Sequence, residues 1–358
     1  MKKVSFFLPS LNGGGAERVT VNLINNLVEL NVDVHLVLIK KQGVFLQDVS
    51  EKVKIIDLGS KRAAFSIFPL VSYLNNENPD YLISSLNYLN VIALLAKKFS
   101  KVKTKFYITE HSTISQRLKN LKGTGKLVPM LMRNLYNGAD RIICVSKGIQ
   151  DDLISTLKLN NPNICVIYNP IDFKKIKRLK NERIEHPFFC DEIPVIIGVG
   201  RLIPEKNFEL LINAFLEVRK YRICKLIILG SGPLEKKLKD IIQNSDHSND
   251  IALVGFQKNP YAWMNQSEVF VLSSLTEGLP TVLIEAMSVG CKVISTDCPS
   301  GPSEILYNLK ECLVINNDIE QLKERLLWNL EKNENLEYDL TRFEYESIIN
   351  KYRKILGV

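Results

Sequence analysis

The chain has 358 residues, of which 46% are hydrophobic and 24% charged, and its formal net charge is +8. This is the composition of a folded globular protein of about two domains, and it excludes collagen, coiled coils and disordered chains. The 7 cysteines are scattered without a C-x-x-C pair, so neither a disulfide framework nor a thiolate zinc site is indicated. No run approaches the roughly 18 to 20 apolar residues of a membrane span, and no cleavable leader is recognisable. We therefore expect a cytoplasmic protein whose contact with a membrane is peripheral.

The positive charge is concentrated in the first half of the chain. Residues 1–185 carry 28 Lys and Arg against 15 Asp and Glu, whereas residues 186–358 carry 19 against 24. The excess is densest from Lys97 to Lys126, where Glu110 is the one acidic residue. This segment is either a solvated face or a surface attracted to anionic lipid head groups or a phosphate-bearing acceptor. Nucleic acid is a weaker interpretation, because aromatic residues are not interleaved with the basic ones.

In the first half, short β-branched runs alternate with longer amphipathic stretches, a pattern typical of parallel α/β domains. The predicted strands cover residues 3–9, 32–40, 81–85, 105–111, 141–146 and 163–172. The predicted helices cover residues 15–30, 91–99 and 147–157. The charged stretch 173–192 is predicted to be a loop that connects two domains.

The same pattern restarts at Ile193. Predicted strands cover residues 193–201, 224–230, 251–256, 268–274 and 291–297, and predicted helices cover 207–221, 232–243 and 281–290. A last helix, about Thr341 to Leu356, could pack on either domain. The predicted fold is therefore α/β, with two Rossmann-like parallel-sheet domains, 1–185 and 186–340, followed by a C-terminal helix at 341–358. Ligands bind beyond the carboxyl ends of parallel strands, so we expect a two-substrate reaction in a cleft between the domains.

The turn after the first strand, LNGGGAER, favours an anionic ligand. Its glycines permit close backbone approach, and the helix that follows presents unpaired N–H groups. It does not match a dinucleotide fingerprint, because Arg18 stands where the third glycine is needed and the second strand ends at Lys40. It also fails the phosphate-loop pattern of nucleoside triphosphatases. A tight turn without a ligand is the alternative.

Arg201 and Lys206 follow the first strand of the second half. A planar guanidinium, a compact ammonium and a helix N-terminus together suit a diphosphate. Because surface cations are common, either residue alone would indicate little. Their position at the carboxyl end of a strand favours the functional interpretation.

The segment TEGLPTVLIEAMSVG is the most informative part of the sequence. Its carboxylates, Glu277 and Glu285, are eight residues apart. If the helix begins at Thr281, this separation is too large for the paired carboxylates of a glycoside hydrolase. We expect Glu277 to receive hydroxyls of one sugar, Glu285 those of a second sugar such as ribose, and N–H groups near Gly278 and Leu279 to meet phosphate. The alternative is a surface glutamate and a charge at a helix N-terminus.

Together with LNGGGAER, the segments VGRLIPEKN, LGSGP, VGFQKN and EGLPTVLIE resemble glycosyltransferase family 4, whose members are retaining enzymes of GT-B fold. The resemblance runs from the first strand to GPSEIL near residue 301. It implies an N-terminal domain that holds the acceptor and a C-terminal domain that holds a nucleotide-sugar donor.

The resemblance also assigns site residues. It implies that Arg201 and Lys206 bind the donor diphosphate, Glu277 the donor sugar and Glu285 the ribose, and that His111 lies beside the transferred sugar. The implied catalytic set is His111, Glu277, Arg201 and Lys206. The implied donor-binding set adds Gly14, Gly15, Gly255, Phe256, Gly278, Leu279, Pro280, Thr281 and Glu285, and the acceptor set is Gly14, Arg18 and His111. Weaker matches to family segments are Ser146, Asn169 and Glu304.

The implied reaction moves a hexose or N-acetylhexosamine from a nucleotide diphosphate, UDP in the first instance, to a saccharide hydroxyl with retention of configuration. No metal or other cofactor is expected, because the chain has no D-x-D motif and its 4 histidines are far apart in sequence. The family mechanism is front-face attack, with the leaving phosphate assisting deprotonation of the acceptor.

The acceptor implied is a polyprenyl-diphosphate-linked saccharide at the inner face of the membrane, as in O-antigen, capsule or glycoprotein glycan assembly. Three other functions remain open: a nucleotide-sugar epimerase of the same fold, a glycan phosphorylase, and a sugar-nucleotide-binding protein without catalysis.

Overall fold

The computed structural model describes residues 1–12, 14–119, 127–332 and 337–358. Gly13, Lys122 and Lys126, which the sequence analysis includes in its motifs, lie outside this part. The chain forms two compact units, Met1–Pro170 with Glu346–Val358, and Ile171–Tyr345. Residues 171–185, which the sequence analysis assigns to the first domain, thus belong to the second unit.

The first unit contains a seven-stranded parallel sheet in the order β3-β2-β1-β4-β5-β6-β7. The strands are β1 Lys3–Leu8, β2 Asp33–Leu38, β3 Lys54–Asp57, β4 Tyr81–Ser85, β5 Lys105–Glu110, β6 Arg141–Cys144 and β7 Ile164–Val166. The inner strands are almost continuously buried, as a sheet covered on both faces requires. The sequence predicts every one of these strands except the short, half-exposed β3.

Helices connect the parallel strands of the first unit, except that a short 3-10 helix, Val44–Asp48, connects β2 to β3. They are α1 Gly15–Glu29, α2 Ile67–Glu77, α3 Asn87–Phe99, α4 Ile114–Lys119, α5 Leu127–Leu135 and α6 Lys147–Leu157. The spacing of Val21, Ile24 and Val28 on α1 places these apolar side chains on one buried face.

The second unit contains a six-stranded parallel sheet in the order β10-β9-β8-β11-β12-β13. The strands are β8 Val195–Val199, β9 Lys225–Leu229, β10 Ile251–Gly255, β11 Val269–Leu272, β12 Lys292–Thr296 and β13 Leu313–Val314. The helices are α7 Phe173–Leu179, α8 Phe208–Arg219, α9 Glu235–Gln243, α10 Pro260–Asn265, α11 Thr281–Val289, α12 Pro302–Ile305 and α13 Ile319–Glu331. Its core lies between the sheet and helices that include α8 and α13.

The prediction of a loop over residues 173–192 is wrong at its start, because α7 occupies Phe173–Leu179. The Asp172 carboxylate caps this helix by accepting a hydrogen bond from Lys175 N at 2.9 Å. Ile176 is buried despite the four basic residues around it. One cap and one apolar anchor thus make a helix of a segment whose charge suggested a loop.

The C-terminal helix α14 covers Tyr345–Leu356, and all of it after its first residue belongs to the first unit. The Tyr107 hydroxyl donates to the Ile355 carbonyl at 2.9 Å, and Lys2 Nζ donates to the Leu356 carbonyl at 2.9 Å. These contacts satisfy carbonyl groups that every helix C-terminus leaves without an intrahelical partner. None of the described helices combines the length and hydropathy that a bilayer span requires.

Candidate functional site

The central feature of the second unit is an ion pair between Lys206 and Glu277. Lys206 Nζ lies 2.5 Å from Glu277 Oε1, and the two side chains are 19% and 12% exposed. Lys206 follows β8 and Glu277 follows β11, and these strands are neighbours in the sheet. Because the carboxyl ends of parallel strands share one edge, residues 71 positions apart meet there.

Two serines that the sequence analysis missed fix this pair. Ser274 Oγ donates to Glu277 Oε1 at 2.6 Å, and Ser273 Oγ donates to the backbone carbonyl of Lys206 at 2.9 Å. Both serines are buried. Their signal in the sequence is their position, directly between a buried strand and the motif that contains Glu277.

A second loop holds the backbone of the glutamate motif. Glu277 N donates to Pro299 O at 2.9 Å, Ser300 N donates to Glu277 O at 3.0 Å, and Ser300 Oγ donates to Gly278 O at 3.0 Å. Gly301 adopts φ +105°, and a Cβ there would lie 2.8 Å from the Gly278 oxygen. The loop that precedes α11 is therefore fixed within the unit itself.

The other predicted donor-binding residues lie at the same edge of the sheet or close to it. Arg201 is exposed two residues after β8. Gly255 ends β10 with φ +86°, and Phe256 beside it is 69% exposed. Glu285 is half-buried in the second turn of α11. The described contacts join Lys206 to Glu277, and they leave Arg201 outside that network.

The remaining residues of the glutamate motif differ in exposure. Leu279 and Pro280 are buried, and Thr281 begins α11 half-buried. The four residues from Glu277 to Pro280 thus precede the helix, as the sequence predicts.

Glycines in LGSGP permit the turns after β8 and β9 to touch. Gly230 adopts φ +144°, and a Cβ on it would lie 1.8 Å from the Gly200 carbonyl oxygen. A Cβ on Gly232 would lie 2.5 Å from the Leu202 oxygen. Both positions therefore need glycine for the backbone approach, which keeps the turn before Lys206 in place.

In the first unit, His111 directly follows β5. Its Nε2 atom is buried without a hydrogen-bond partner in the described part of the chain. Burial lowers the pKa of His111 to about 4, so the ring is neutral at neutral pH. A buried ring nitrogen without a partner is unusual in a native structure, and a bound ligand could supply that partner.

A buried polar network lies directly before His111 in the chain. The Tyr136 hydroxyl and Asn90 Nδ2 both donate to Glu110 Oε1, the latter at 2.8 Å. Asn90 Nδ2 also donates to the Thr109 carbonyl at 3.0 Å, and Ser84 Oγ donates to Asn90 Oδ1 at 2.6 Å. Burial raises the pKa of Glu110 to about 7, although the hydrogen bonds from Tyr136 and Asn90 oppose the shift. The network thus joins β4, α3 and the end of β5.

A side chain of α1 already accepts a hydrogen bond from the glycine-rich turn that precedes this helix. Gly14 N donates to Glu17 Oε2 at 3.1 Å, which satisfies one donor at the start of α1. A Cβ on Gly15 would come within 4 Å of no described residue beyond its chain neighbours and the backbone of its own helix. Arg18, predicted to bind the acceptor, has its Nη1 2.8 Å from Asp48 Oδ2 and its guanidinium 3.9 Å from the centre of the Phe45 ring. An acceptor role for Arg18 stays a prediction.

The structure shows the local environment of the three weaker candidates for the site, Ser146, Asn169 and Glu304. Ser146 caps α6 by accepting a hydrogen bond from Ile149 N at 3.2 Å. Asn169 is buried. Glu304 lies in the first turn of α12, where its carbonyl accepts a hydrogen bond from Arg342 at 2.6 Å.

The basic segment is less uniform than its sequence suggests. Lys97 Nζ lies 2.6 Å from Asp140 Oδ2 and 3.0 Å from the Gly138 carbonyl. Its charge is therefore compensated, whereas Lys98, Lys101, Lys103 and Lys105 are exposed. Within the described ranges, His, Cys, Asp and Glu side chains do not gather in groups of three or more that could hold a metal ion.

Comparisons with known proteins agree with this architecture. Residues 13–175 match the family model described as Glycosyltransferase Family 4, and residues 180–345 match the model described as Glycosyl transferases group 1. HepE from Anabaena, solved with UDP and glucose, superimposes with a TM-score of 0.81 at 17% identity, with 100% of both chains covered. The fold is therefore that of the GT-B glycosyltransferases, as the sequence analysis predicts.

Sequence relatives narrow the class to a family. One is the N-acetylgalactosamine-N,N'-diacetylbacillosaminyl-diphospho-undecaprenol 4-alpha-N-acetylgalactosaminyltransferase of Campylobacter jejuni, 31% identical over 330 residues, which are 89% of this chain and 87% of the relative. Another is the amylovoran biosynthesis glycosyltransferase AmsD of Erwinia amylovora, 30% identical over 299 residues, which are 82% of this chain and 80% of the relative. The chain belongs to glycosyltransferase family 4.

Proposed function

We propose that this protein transfers a hexose or N-acetylhexosamine from a UDP-sugar to a hydroxyl of a polyprenyl-diphosphate-linked saccharide, with retention of anomeric configuration. The observation that carries the proposal is the Lys206–Glu277 pair with Ser274, fixed at the carboxyl edge of the second sheet. The named activity of the Campylobacter relative, which adds an α-linked sugar to an undecaprenyl-diphosphate-linked saccharide, supports the choice of acceptor.

The ammonium of Lys206 suits the leaving diphosphate. It has three N–H donors, of which the pair with Glu277 uses one, and it is largely removed from solvent. A fixed cation at a partly buried position stabilises developing negative charge more than a hydrated one does. Arg201, exposed near the end of the same strand, adds a fork of donors when the diphosphate is present. In this proposal the two cations take the place of a metal.

Glu277 suits the hydroxyls of the transferred sugar. Both described contacts of its carboxylate, from Lys206 and Ser274, go to Oε1, so Oε2 is directed to neither of these donors. Its position is fixed before a ligand arrives, which reduces the entropy lost on binding. In the proposal Glu285 meets the ribose hydroxyls, and the segment at Gly255 and Phe256 meets the base.

His111 takes part as a neutral group. Because burial keeps the pKa of its ring near 4, it can exchange hydrogen bonds with sugar hydroxyls at neutral pH without a positive charge. The acceptor oxygen attacks on the face from which the diphosphate leaves, and the departing phosphate assists removal of its proton. We assign no side chain as general base.

The experiment that tests the proposal is the double substitution Arg201→Ala with Lys206→Ala. Loss of the diphosphate cations should lower transfer by about 100- to 1,000-fold, because charge that develops at the transition state is no longer stabilised. Lys237→Ala is the matched control, because Lys237 pairs with Glu209 on the surface at 2.6 Å and is 57% exposed. Unchanged thermal unfolding confirms that the double variant is folded. A double variant as active as the parent would contradict the proposal.

Donor consumption distinguishes the proposal from its alternatives. A transferase consumes a UDP-sugar in proportion to the lipid-linked acceptor supplied, an epimerase converts it without an acceptor, and a binding protein consumes none. Calorimetric titration with UDP-, GDP- and ADP-sugars tests the nucleotide, and we expect binding of the UDP-sugars to be tightest.

A further inference from the structure

The first unit exposes three phenylalanines that its core does not use. Phe65, Phe68 and Phe99 are 65%, 72% and 59% exposed. Phe65 lies in a short 3-10 helix, Ala63–Ser66, and Phe68 is the second residue of α2, three positions later. Phe99 ends α3. Scattered single apolar residues on a surface are ordinary, but clustered ones mark an interaction site.

The three rings lie on adjoining elements. The rings of Phe68 and Phe99 have centroids 6.2 Å apart, and the 3-10 helix that carries Phe65 contacts both α2 and α3. We call Phe65, Phe68 and Phe99 the aromatic patch. Phenyl rings at this separation contact each other and still expose most of their surface.

Basic residues stand next to the aromatic patch in the sequence, and no acidic residue lies between them and the rings. Residues 58–76 and 81–109, which include the patch, contain no Asp or Glu. The cations next to the rings in sequence are Lys61, Arg62, Lys98 and Lys101, all of them exposed. Lys97 is not counted among these exposed cations, because its ammonium lies 2.6 Å from the Asp140 carboxylate.

This combination favours one kind of partner. Aromatic rings rimmed by Lys and Arg are suited to the interface of an anionic bilayer, where rings enter the head-group region and cations meet lipid phosphates. A symmetric contact between two copies of this chain would bring the same cations together, which like-charge repulsion opposes. Charge complementarity thus favours an anionic lipid surface over a second copy.

We infer that the aromatic patch inserts into the interface of an anionic membrane, with Lys61, Arg62, Lys98 and Lys101 contacting lipid phosphates around it. The inference rests on the proposed function in one respect, since a lipid-linked acceptor requires the enzyme to work at a membrane. It differs from simple attraction by the basic segment, because insertion makes the rings necessary as well as the charges.

The test measures binding of the purified full chain to vesicles that contain neither donor nor acceptor, so the result does not depend on turnover. Phe68→Ser should lower partitioning onto phosphatidylglycerol-containing vesicles by about tenfold, and Phe65→Ser, Phe68→Ser and Phe99→Ser combined by about a hundredfold or more. Tyr221→Ser is the matched control, because Tyr221 is 72% exposed in the second unit. It should bind as the parent does.

Charge and depth are tested separately. Lys98→Glu with Lys101→Glu should lower binding to phosphatidylglycerol-containing vesicles at least about tenfold and abolish its dependence on anionic lipid. Phe68→Trp should show fluorescence quenched by brominated lipid, whereas Tyr221→Trp should not. The two native tryptophans, Trp263 and Trp328, belong to the second unit and give the background.

Two results would overturn the inference. In the first, the triple serine variant, with unchanged thermal unfolding, binds vesicles as tightly as the parent. In the second, it changes the oligomeric state in size-exclusion chromatography with light scattering while vesicle binding is kept, which makes the patch a protein interface. If the parent binds vesicles through the patch but transfers no sugar to a lipid-linked acceptor, the proposed function alone is wrong.

Discussion

Replacing Glu110 with glutamine should remove a pH dependence from the stability of the first unit. Glu110 is 1% exposed and accepts hydrogen bonds from Tyr136 and Asn90 through Oε1. A glutamine oxygen can accept the same two hydrogen bonds. The substitution therefore removes a titrating group and keeps the shape of the network.

The magnitude follows from the pKa of Glu110, which burial raises from 4.5 to about 7. Between these values the folded chain holds a proton that the unfolded chain has released, so stability falls as pH rises through this window. At 1.36 kcal/mol for each pKa unit, the loss amounts to about 3 kcal/mol and is complete above pH 7. Below pH 4.5 the carboxyl is neutral in both states, and the stabilising contribution is fully present.

The assay compares parent and Glu110→Gln from pH 5 to pH 8 by hydrogen exchange of the amides in β4 and β5. As the pH rises from 5 to 8, the free energy of unfolding of the variant should increase by about 2 to 3 kcal/mol relative to that of the parent. If the amide itself changes the free energy of unfolding, that change is the same at every pH and does not affect how the difference between the proteins varies with pH. Both tryptophans lie in the second unit, so their fluorescence on urea unfolding serves as an internal control. A difference between the proteins that stays constant with pH would refute the reasoning.

Three other substitutions test single features of the structure. Gly230→Ala places a methyl group 1.8 Å from a backbone oxygen at φ +144°, so it should destabilise the second unit by several kcal/mol, seen as a lower urea midpoint. A midpoint like that of the parent would show that the turn adjusts. Tyr107→Phe removes the 2.9 Å hydrogen bond to Ile355 O and should increase exchange of the α14 amides with a cost of about 1 kcal/mol, with no effect on the second unit. Ser274→Ala removes the 2.6 Å hydrogen bond to Glu277 and should lower the rate of transfer about tenfold with unchanged thermal unfolding. If the variant has the kinetics of the parent, Lys206 alone orients the carboxylate.

The sequence predicts the inner strands well because they are buried on both faces, whereas among the described helices it predicts only α1, α3, α6, α8, α9, α11 and α14. Continuous apolar runs such as Val195–Val199 and Val269–Leu272 predict inner strands of a covered sheet. Strand β3 was missed because Lys54 and Asp57 are exposed at its ends, as suits the edge of a sheet. Helix α7 was missed because its stability comes from a cap and from tertiary contacts, which charge patterning does not reveal.

The sequence predicts which residues belong to the candidate site better than it predicts the contacts between them. The motif segments identified Lys206 and Glu277 individually, but a pair across 71 positions depends on the order of strands β8 and β11. The Arg18–Asp48 ion pair likewise joins two segments, α1 and the 3-10 helix Val44–Asp48, whose packing the sequence pattern does not show. Serine has no distinctive pattern in sequence, so the hydrogen bond from Ser274 became evident only in the folded chain.

The first unit is discontinuous, and this has a consequence for its synthesis. Its last helix, from Glu346 onward, leaves the ribosome only after all of Ile171–Tyr345 has been translated. Until then the surface around Tyr107 that α14 covers stays bare, and the first unit is incomplete. A product truncated after Tyr345 would therefore combine a complete C-terminal unit with an incomplete N-terminal one, and the incomplete unit would be the first target of proteases and chaperones.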